Sequence, residues 1–466
     1  MNIKKNKIIN IFNSELALLV FWVLVLSTLN LNNVALNEIN TFNYKINFET
    51  FFILINYVGY FIPFFLILII IYNFYIIKKK NIFTSLYILY GIWQLIVFIF
   101  IEQKINNYDN FRLIFNLIII AVIFNVATNE NYINFYKNSL IFIISFISII
   151  SIYFVFKLFY EYFSEDTMLY LYSSSTLEAE TKTIYQANPR ITGISRMLLI
   201  LFYFIFFLKI KFKKNIQKKI ICSILLFFLS FTIYGMQSRG AILGLGLLIL
   251  IYLFLVQKKI KEKLLIILML FIFPLITWEA ITFYKINKFN DINSTNDSKI
   301  ANLNSNRIIN KPVVGEINDV SSGRSIIWKR AFQIIIEKKI IFGLGPQADR
   351  KYLIEESIKY DKNKHFWQNN SSNAFIYGYL CGGVVGLLLL FFIYFVIIKE
   401  LYLTIIIKKS FYKGEPYIQF AAATLFYLII RSLFENSFAL FSIDYALCCL
   451  CYFILKNNKL KNTSVN

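Results

Sequence analysis

Apolar residues run through this chain in blocks of about 20, the length at which a helix crosses a bilayer, separated by short polar breaks. Twelve such blocks can be drawn, at about 14–34, 51–77, 82–101, 111–128, 139–160, 191–208, 219–236, 240–257, 264–284, 374–398, 417–436 and 438–455. The pattern predicts an all-α polytopic membrane protein with about twelve transmembrane helices and one long loop. It divides the chain into nine helices over 1–286, the loop over 287–373, and three helices over 374–466. The loop is predicted to be partly helical. Ile327, Ala331, Phe332, Ile334 and Ile335 fall near one face of 324–341, and Arg324, Lys329, Arg330, Gln333 and Lys338 take much of the rest. Ser321 or Ser322 can cap its start, and Gly343 with Pro346 stops it. Such a helix either packs on other outer elements or lies in the membrane interface.

Charge orients the pattern. Lys78–Lys80, the lysines from 209 to 219, those from 258 to 263, Lys408, Lys409 and Lys413, and Lys456, Lys459 and Lys461 all fall on one side with Lys4, Lys5 and Lys7. Lysine marks the cytoplasmic face, so both termini are expected there and the loop 287–373 outside. The first block is long, lacks a small-residue cleavage site and is followed by further blocks, so it reads as an uncleaved first helix.

The composition agrees: 58% of residues are hydrophobic and mean hydropathy is +0.61. The net charge of +22 would suggest nucleic acid in a soluble protein, but here it is the lysine excess of cytoplasmic loops. No nucleic-acid partner is expected. Cys222, Cys381, Cys448, Cys449 and Cys451 lie inside predicted spans with no histidine neighbour or paired CxxC spacing, which makes them apolar filler. No cofactor is implied. No acidic or His/Cys metal cluster occurs on the outer side, so a metal-free mechanism is preferred.

Arginine behaves differently from lysine. Of the 48 basic residues only nine are arginine, and on this topology none lies in a cytoplasmic loop. A planar, permanently charged fork suits bidentate binding of phosphate or carboxylate, so an anionic ligand on the outer face accounts for them. Arg196, Arg239 and Arg431 lie at or within span ends, where a charge is costly and faces a cavity or partner. Arg431 and Glu435 are spaced for a helical ion pair, and Asp444 is an intramembrane carboxylate that is either a site residue or an arginine's partner. His365, the only histidine, is a candidate general base by its near-neutral pKa.

Several short motifs, in order, resemble the O-antigen polymerase and O-antigen ligase superfamily of bacterial surface-polysaccharide assembly. They are Pro189-Arg190-Ile191-Thr192-Gly193, Ser238-Arg239-Gly240-Ala241, Gly323-Arg324 through Trp328 with Gly343-Leu344-Gly345, and Ser372-Asn373-Ala374-Phe375 leading to Gly382-Gly383-Val384-Val385-Gly386. Arg431-Ser432-Leu433-Phe434-Glu435-Asn436-Ser437 followed by Asp444 resembles the polymerase branch. The resemblance implies a metal-independent glycosyltransferase of the bacterial inner membrane, working on its outer face. Donor and acceptor would be polyprenyl-diphosphate-linked glycans, with membrane lipid and a chain-length regulator protein as further partners. Arg239 and Arg324 would neutralise the departing diphosphate, joined in the binding set by Arg190, Arg196, Asn373 and Arg431, while Gly343 and Gly345 would let backbone approach ligand. His365 and Glu435 are the candidates for the base. The ligase branch places His-Asn just before the Gly-Gly span; here Ser372-Asn373 stands there, which favours the polymerase. The alternatives are a ligase transferring the glycan to lipid A-core and a flippase of lipid-linked repeat units. The flippase is disfavoured by the lack of two similar halves.

Overall fold

The computed structural model describes residues 21–22, 81–100, 107–126, 133–164, 191–212, 215–236, 238–255, 260–293, 324–349, 352–353, 371–407, 411 and 415–463. The spans expected at 14–34 and 51–77 fall outside the described residues, 21–22 excepted, as do Ser321 and Ser322.

Among the described residues the chain is helical and has no strand. The helices are α1 (Ile82–Phe100), α2 (Asn107–Val126), α3 (Ile133–Ser164), α4 (Ile191–Lys211), α5 (Ile216–Gly235), α6 (Arg239–Leu255), α7 (Ile260–Ile267), α8 (Phe273–Asn293), α9 (Arg324–Glu337), α10 (Ala374–Tyr402), α11 (Pro416–Ser432) and α12 (Ile443–Thr463). A π-helical turn joins α7 to α8, and another extends α10 to Ile407. Five stretches are each long and apolar enough to cross a membrane: Ile82–Phe100, Gly193–Lys211, Ile216–Gly235, Ile260–Lys285 and Ala374–Ile407.

The helices sort by what they touch. α12 is central, with Tyr445 through Phe453 almost wholly buried, and the five cysteines are free and buried, as apolar filler should be. α11 packs on α12, and within the bundle it buries Ala421, Ala422 and Ala423, whose small side chains let backbones approach. α4 crosses α11, and Gly244 of α6 fits where a β-carbon would strike Leu199 and Tyr427. The Tyr203 hydroxyl donates to the Gly244 carbonyl at 2.6 Å across the same contact. At the edge, α5 and α7 expose Ile220, Ile224, Phe228, Leu264 and Leu265, a solvent-facing surface apolar enough to meet lipid.

Three expected spans differ from the sequence pattern. The last two apolar blocks are parted by a non-helical segment, 433–442, with Phe438 in the left-handed region at φ 68°. α10 is not one straight helix. At Gly383 the backbone adopts φ 64°, ψ −158°, and the chain reverses. Phe375 lies against Phe391 and Tyr394, with ring centroids 4.8 and 4.6 Å apart. In a continuous helix residues 375 and 391 would stand about 24 Å apart. The arms 374–382 and 384–402 are therefore antiparallel, and 384–407 alone makes the crossing expected at 374–398.

A reversal strands backbone carbonyls, a heavy cost at membrane depth. Neighbours meet them here. Leu344 N–H donates to the Leu380 carbonyl at 2.8 Å and Gly345 N–H to that of Cys381 at 3.0 Å. The Trp93 indole of α1 donates to Gly382 at 2.6 Å, and Val384 N–H donates to Ile341 at 2.9 Å. A β-carbon at Gly383 would strike the Ile341 carbonyl, and one at Gly343 the backbone of Cys381. Gly343, expected to bring backbone close to ligand, brings it close to this reversal instead. The expected helix 324–341 stops at Glu337 for the same reason: the chain turns through Lys339 (φ 46°) to bury Ile340 and deliver Ile341 to Val384.

Candidate functional site

α4, α6 and α12 begin, and α11 ends, at one end of the bundle. Arg239, Asp444 and Arg431 lie in the first or last turns of these helices and Arg196 in the second turn of α4, so residues far apart in sequence meet there. Arg196 Nη1 lies 2.8 Å from Asp444 Oδ2, and Arg431 Nε lies 3.4 Å from the same oxygen. Ser437 Oγ donates to it at 2.9 Å. The arginine side chains are 16% and 10% exposed and the aspartate 3%, so this is a nearly dry cluster. Two guanidiniums share one carboxylate, which leaves one positive charge in excess. Asp444 Oδ1 and the Arg196 and Arg431 Nε atoms have no hydrogen-bond partner. Arg431 Nη1 donates to the Tyr427 hydroxyl at 3.4 Å. A methyl group on Gly240 would stand 3.8 Å from that same Nη1, which sets the start of α6, and with it half-buried Arg239, beside Arg431.

The expected helical pair of Arg431 with Glu435 does not form, because α11 ends at Ser432 and Glu435 sits on the non-helical segment. Glu435 turns instead to Arg324, the first residue of α9, with Nη2 3.1 Å from Oε1. These side chains are 22% and 28% exposed. The Arg324 guanidinium lies 5.9 Å from the Phe434 ring centroid, and the Trp328 ring, one turn on along α9, stacks on Phe434 at 6.3 Å.

A hydrogen-bonded clasp holds the two segments together. Asn373 caps α10, its Oδ1 accepting from Phe375 and Ile376 N–H at 2.9 and 3.1 Å. Its Nδ2 donates to the Leu433 carbonyl at 2.9 Å, and its N–H donates to Asn436 Oδ1 at 3.0 Å. Buried Asp349 accepts from Ser371 N–H at 2.9 Å and from Asn436 Nδ2 at 3.4 Å. Trp328 Nε1 donates to the Ser371 carbonyl at 3.1 Å. Since arm 374–382 runs back from the reversal, this clasp lies about 14 Å below the tip at Gly383, at 1.5 Å per residue.

Of the sequence-derived candidates, Arg196, Arg239, Arg324, Asn373, Arg431 and Glu435 gather at this end. Arg190 and His365 lie outside the described residues. Asp349 escaped the sequence reading: an acid after Gly345-Pro346 carries no periodic signal, and only its burial singles it out. Asn436 and Ser437 were visible only inside the motif around Arg431. Among the described residues no group of three or more His, Cys, Asp or Glu is placed to hold a metal ion.

A family model described as O-antigen ligase matches residues 224–391, about a third of the chain, including Arg239, Arg324 and Asn373 but not Arg196, Arg431 or Asp444. No curated protein and no solved structure matches the chain. Together with the apolar helices, the match points to a bacterial inner-membrane protein of glycan assembly that handles lipid-linked glycans, a glycosyltransferase-like role. Over residues 224–391 the chain is similar to the O-antigen ligase family, and this supports its place in the O-antigen polymerase and ligase superfamily.

Proposed function

We propose that this protein is a metal-independent glycosyltransferase that polymerises polyprenyl-diphosphate-linked repeat units on the outer face of the inner membrane. One observation carries the reading: guanidiniums from α4, α9 and α11 gather around a site backed by a dry, net-positive cluster. A diphosphate leaving group is what such a surface stabilises, because its negative charge grows as the glycosidic bond breaks. In the reaction an acceptor sugar hydroxyl attacks the anomeric carbon of the donor glycan. The bond from that carbon to the diphosphate oxygen breaks, and its electron pair leaves with the polyprenyl diphosphate. The hydroxyl proton passes to a base, which we assign to Glu435, since it sits beside the guanidinium of Arg324. Arg324 takes up the leaving charge, Arg239 flanks it from the start of α6, and Arg196 and Arg431 hold Asp444 in place while their excess positive charge adds to the field at the site. Asn373 organises the wall through its cap and clasp. His365 and Arg190 are further candidates for base and binding residue.

A ligase is the second reading, favoured by the family description itself. It would use the same donor with lipid A-core as acceptor. A flippase needs no base and ranks third. Surface glycan from a deletion strain separates them. The polymerase reading expects core capped by single repeat units with the long ladder gone; loss of the single-unit band as well contradicts it. Both termini are cytoplasmic in this reading, which an alkaline phosphatase fusion to Asn466 tests: it should be inactive.

A further inference from the structure

Three surfaces run along α9. Ile327, Ala331 and Ile334 are buried against the bundle. Gln333 and Glu337 are exposed and polar. Between these faces lies a third that is exposed and apolar, with Phe332 54% and Ile336 73% exposed. It continues into the turn that follows, where Ile341 and Phe342 are 60% and 69% exposed. Four large apolar side chains on one polar loop form a patch that water does not favour, and such patches mark contact surfaces.

The patch has a neighbour whose environment is fixed by its composition. The Ile341 carbonyl accepts from Val384 N–H, which fastens the turn to the head of the crossing arm of α10. From there the outward face of that arm shows Val385, Leu388, Phe391, Phe392, Phe395 and Ile398, all exposed and all apolar, as a lipid-facing wall requires. The loop patch is the upward continuation of that wall. Lys338 and Lys339 are exposed beside it, placed where phosphate headgroups would lie.

We propose that the second half of α9 and the Ile341–Phe342 turn are seated in the bilayer, with the turn at the boundary of headgroups and acyl chains and the exposed apolar face in lipid. The bundle then holds one side of α9 and the membrane another. The proposal concerns the surface alone and does not depend on the reaction assigned above.

Nitroxide labels at Ile336→Cys, Phe342→Cys and Glu337→Cys test it in the full-length protein in vesicles of phosphatidylethanolamine and phosphatidylglycerol. The five native cysteines are buried, and unmutated protein supplies the background. Collision with oxygen relative to a water-soluble nickel complex should be several-fold higher at 336 and 342 than at 337. Equal ratios at all three positions overturn the proposal. A photo-reactive benzoylphenylalanine in place of Phe332 provides an independent readout in cells. Phospholipid adducts are the expected product; a discrete protein adduct in their place means that a partner protein covers the face, and the proposal fails.

Discussion

Two arginine–carboxylate groups stand at the same end of the bundle and differ in almost everything but chemistry. The Arg196–Asp444–Arg431 group is nearly dry, joins three helices, and has a serine completing its shell. The Arg324–Glu435 pair is partly open and joins a loop helix to a non-helical segment. Burial decides what each can do. A dry group cannot lose one member without leaving a bare charge, so it is bound to the fold. An open pair contributes at most about 1 kcal/mol, and its members are free to exchange each other for a ligand. Here the same residue types serve as scaffold in one place and as the proposed working groups in the other.

The contrast can be broken by substitution. Asp444→Ala should have the largest effect on stability, about 3–5 kcal/mol, since two buried guanidiniums lose their counter-ion. Thermal unfolding in detergent should show a large drop in midpoint or no folded protein. Asp444→Ala combined with Arg196→Met should recover part of the loss, and a double mutant no better than Asp444→Ala would mean that the pair is not coupled. Gly383→Ala comes next. Left-handed strain alone is worth about 1–3 kcal/mol, and the collision with the Ile341 carbonyl adds to it. Cross-linking of cysteines introduced at Ile341 and Val384 reads the reversal directly and should fall in this variant. Trp93→Phe strips the Gly382 carbonyl of its donor, for about 1–3 kcal/mol by the same thermal assay. Glu435→Gln should cost least in stability, within about 1 kcal/mol, while chain extension fails.

Much of this fold is legible in the sequence because lipid rewards one simple pattern. The apolar blocks at 82–101, 191–208 and 219–236 became α1, α4 and α5 with ends shifted by a few residues. The reversal at Gly383 was not legible: both arms are apolar, and Gly382-Gly383 inside an apolar run reads as a helix that packs closely. What betrays it is the company of Phe375 with Phe391, a tertiary fact. At the site, the preference of arginine for span ends pointed to Arg196, Arg239 and Arg431. Their pairing was hidden, because Arg196 and Asp444 are 248 residues apart and only the packing of α4 on α11, and of α11 on α12, brings them together. The spacing of Arg431 and Glu435 misled for a local reason. It assumes an unbroken helix, and α11 ends between the two residues.

The central claim is that the open pair works on the substrate while the buried group only holds the site. Arg324→Ala tests it most directly, with the variant's amount in membranes and its surface glycan measured together. Membrane levels should match those of the unmutated protein, and surface glycan should show single repeat units with the long ladder lost. Loss of a charge-stabilising donor of this kind slows catalysis about 100-fold or more. A normal ladder at normal protein levels would contradict the account.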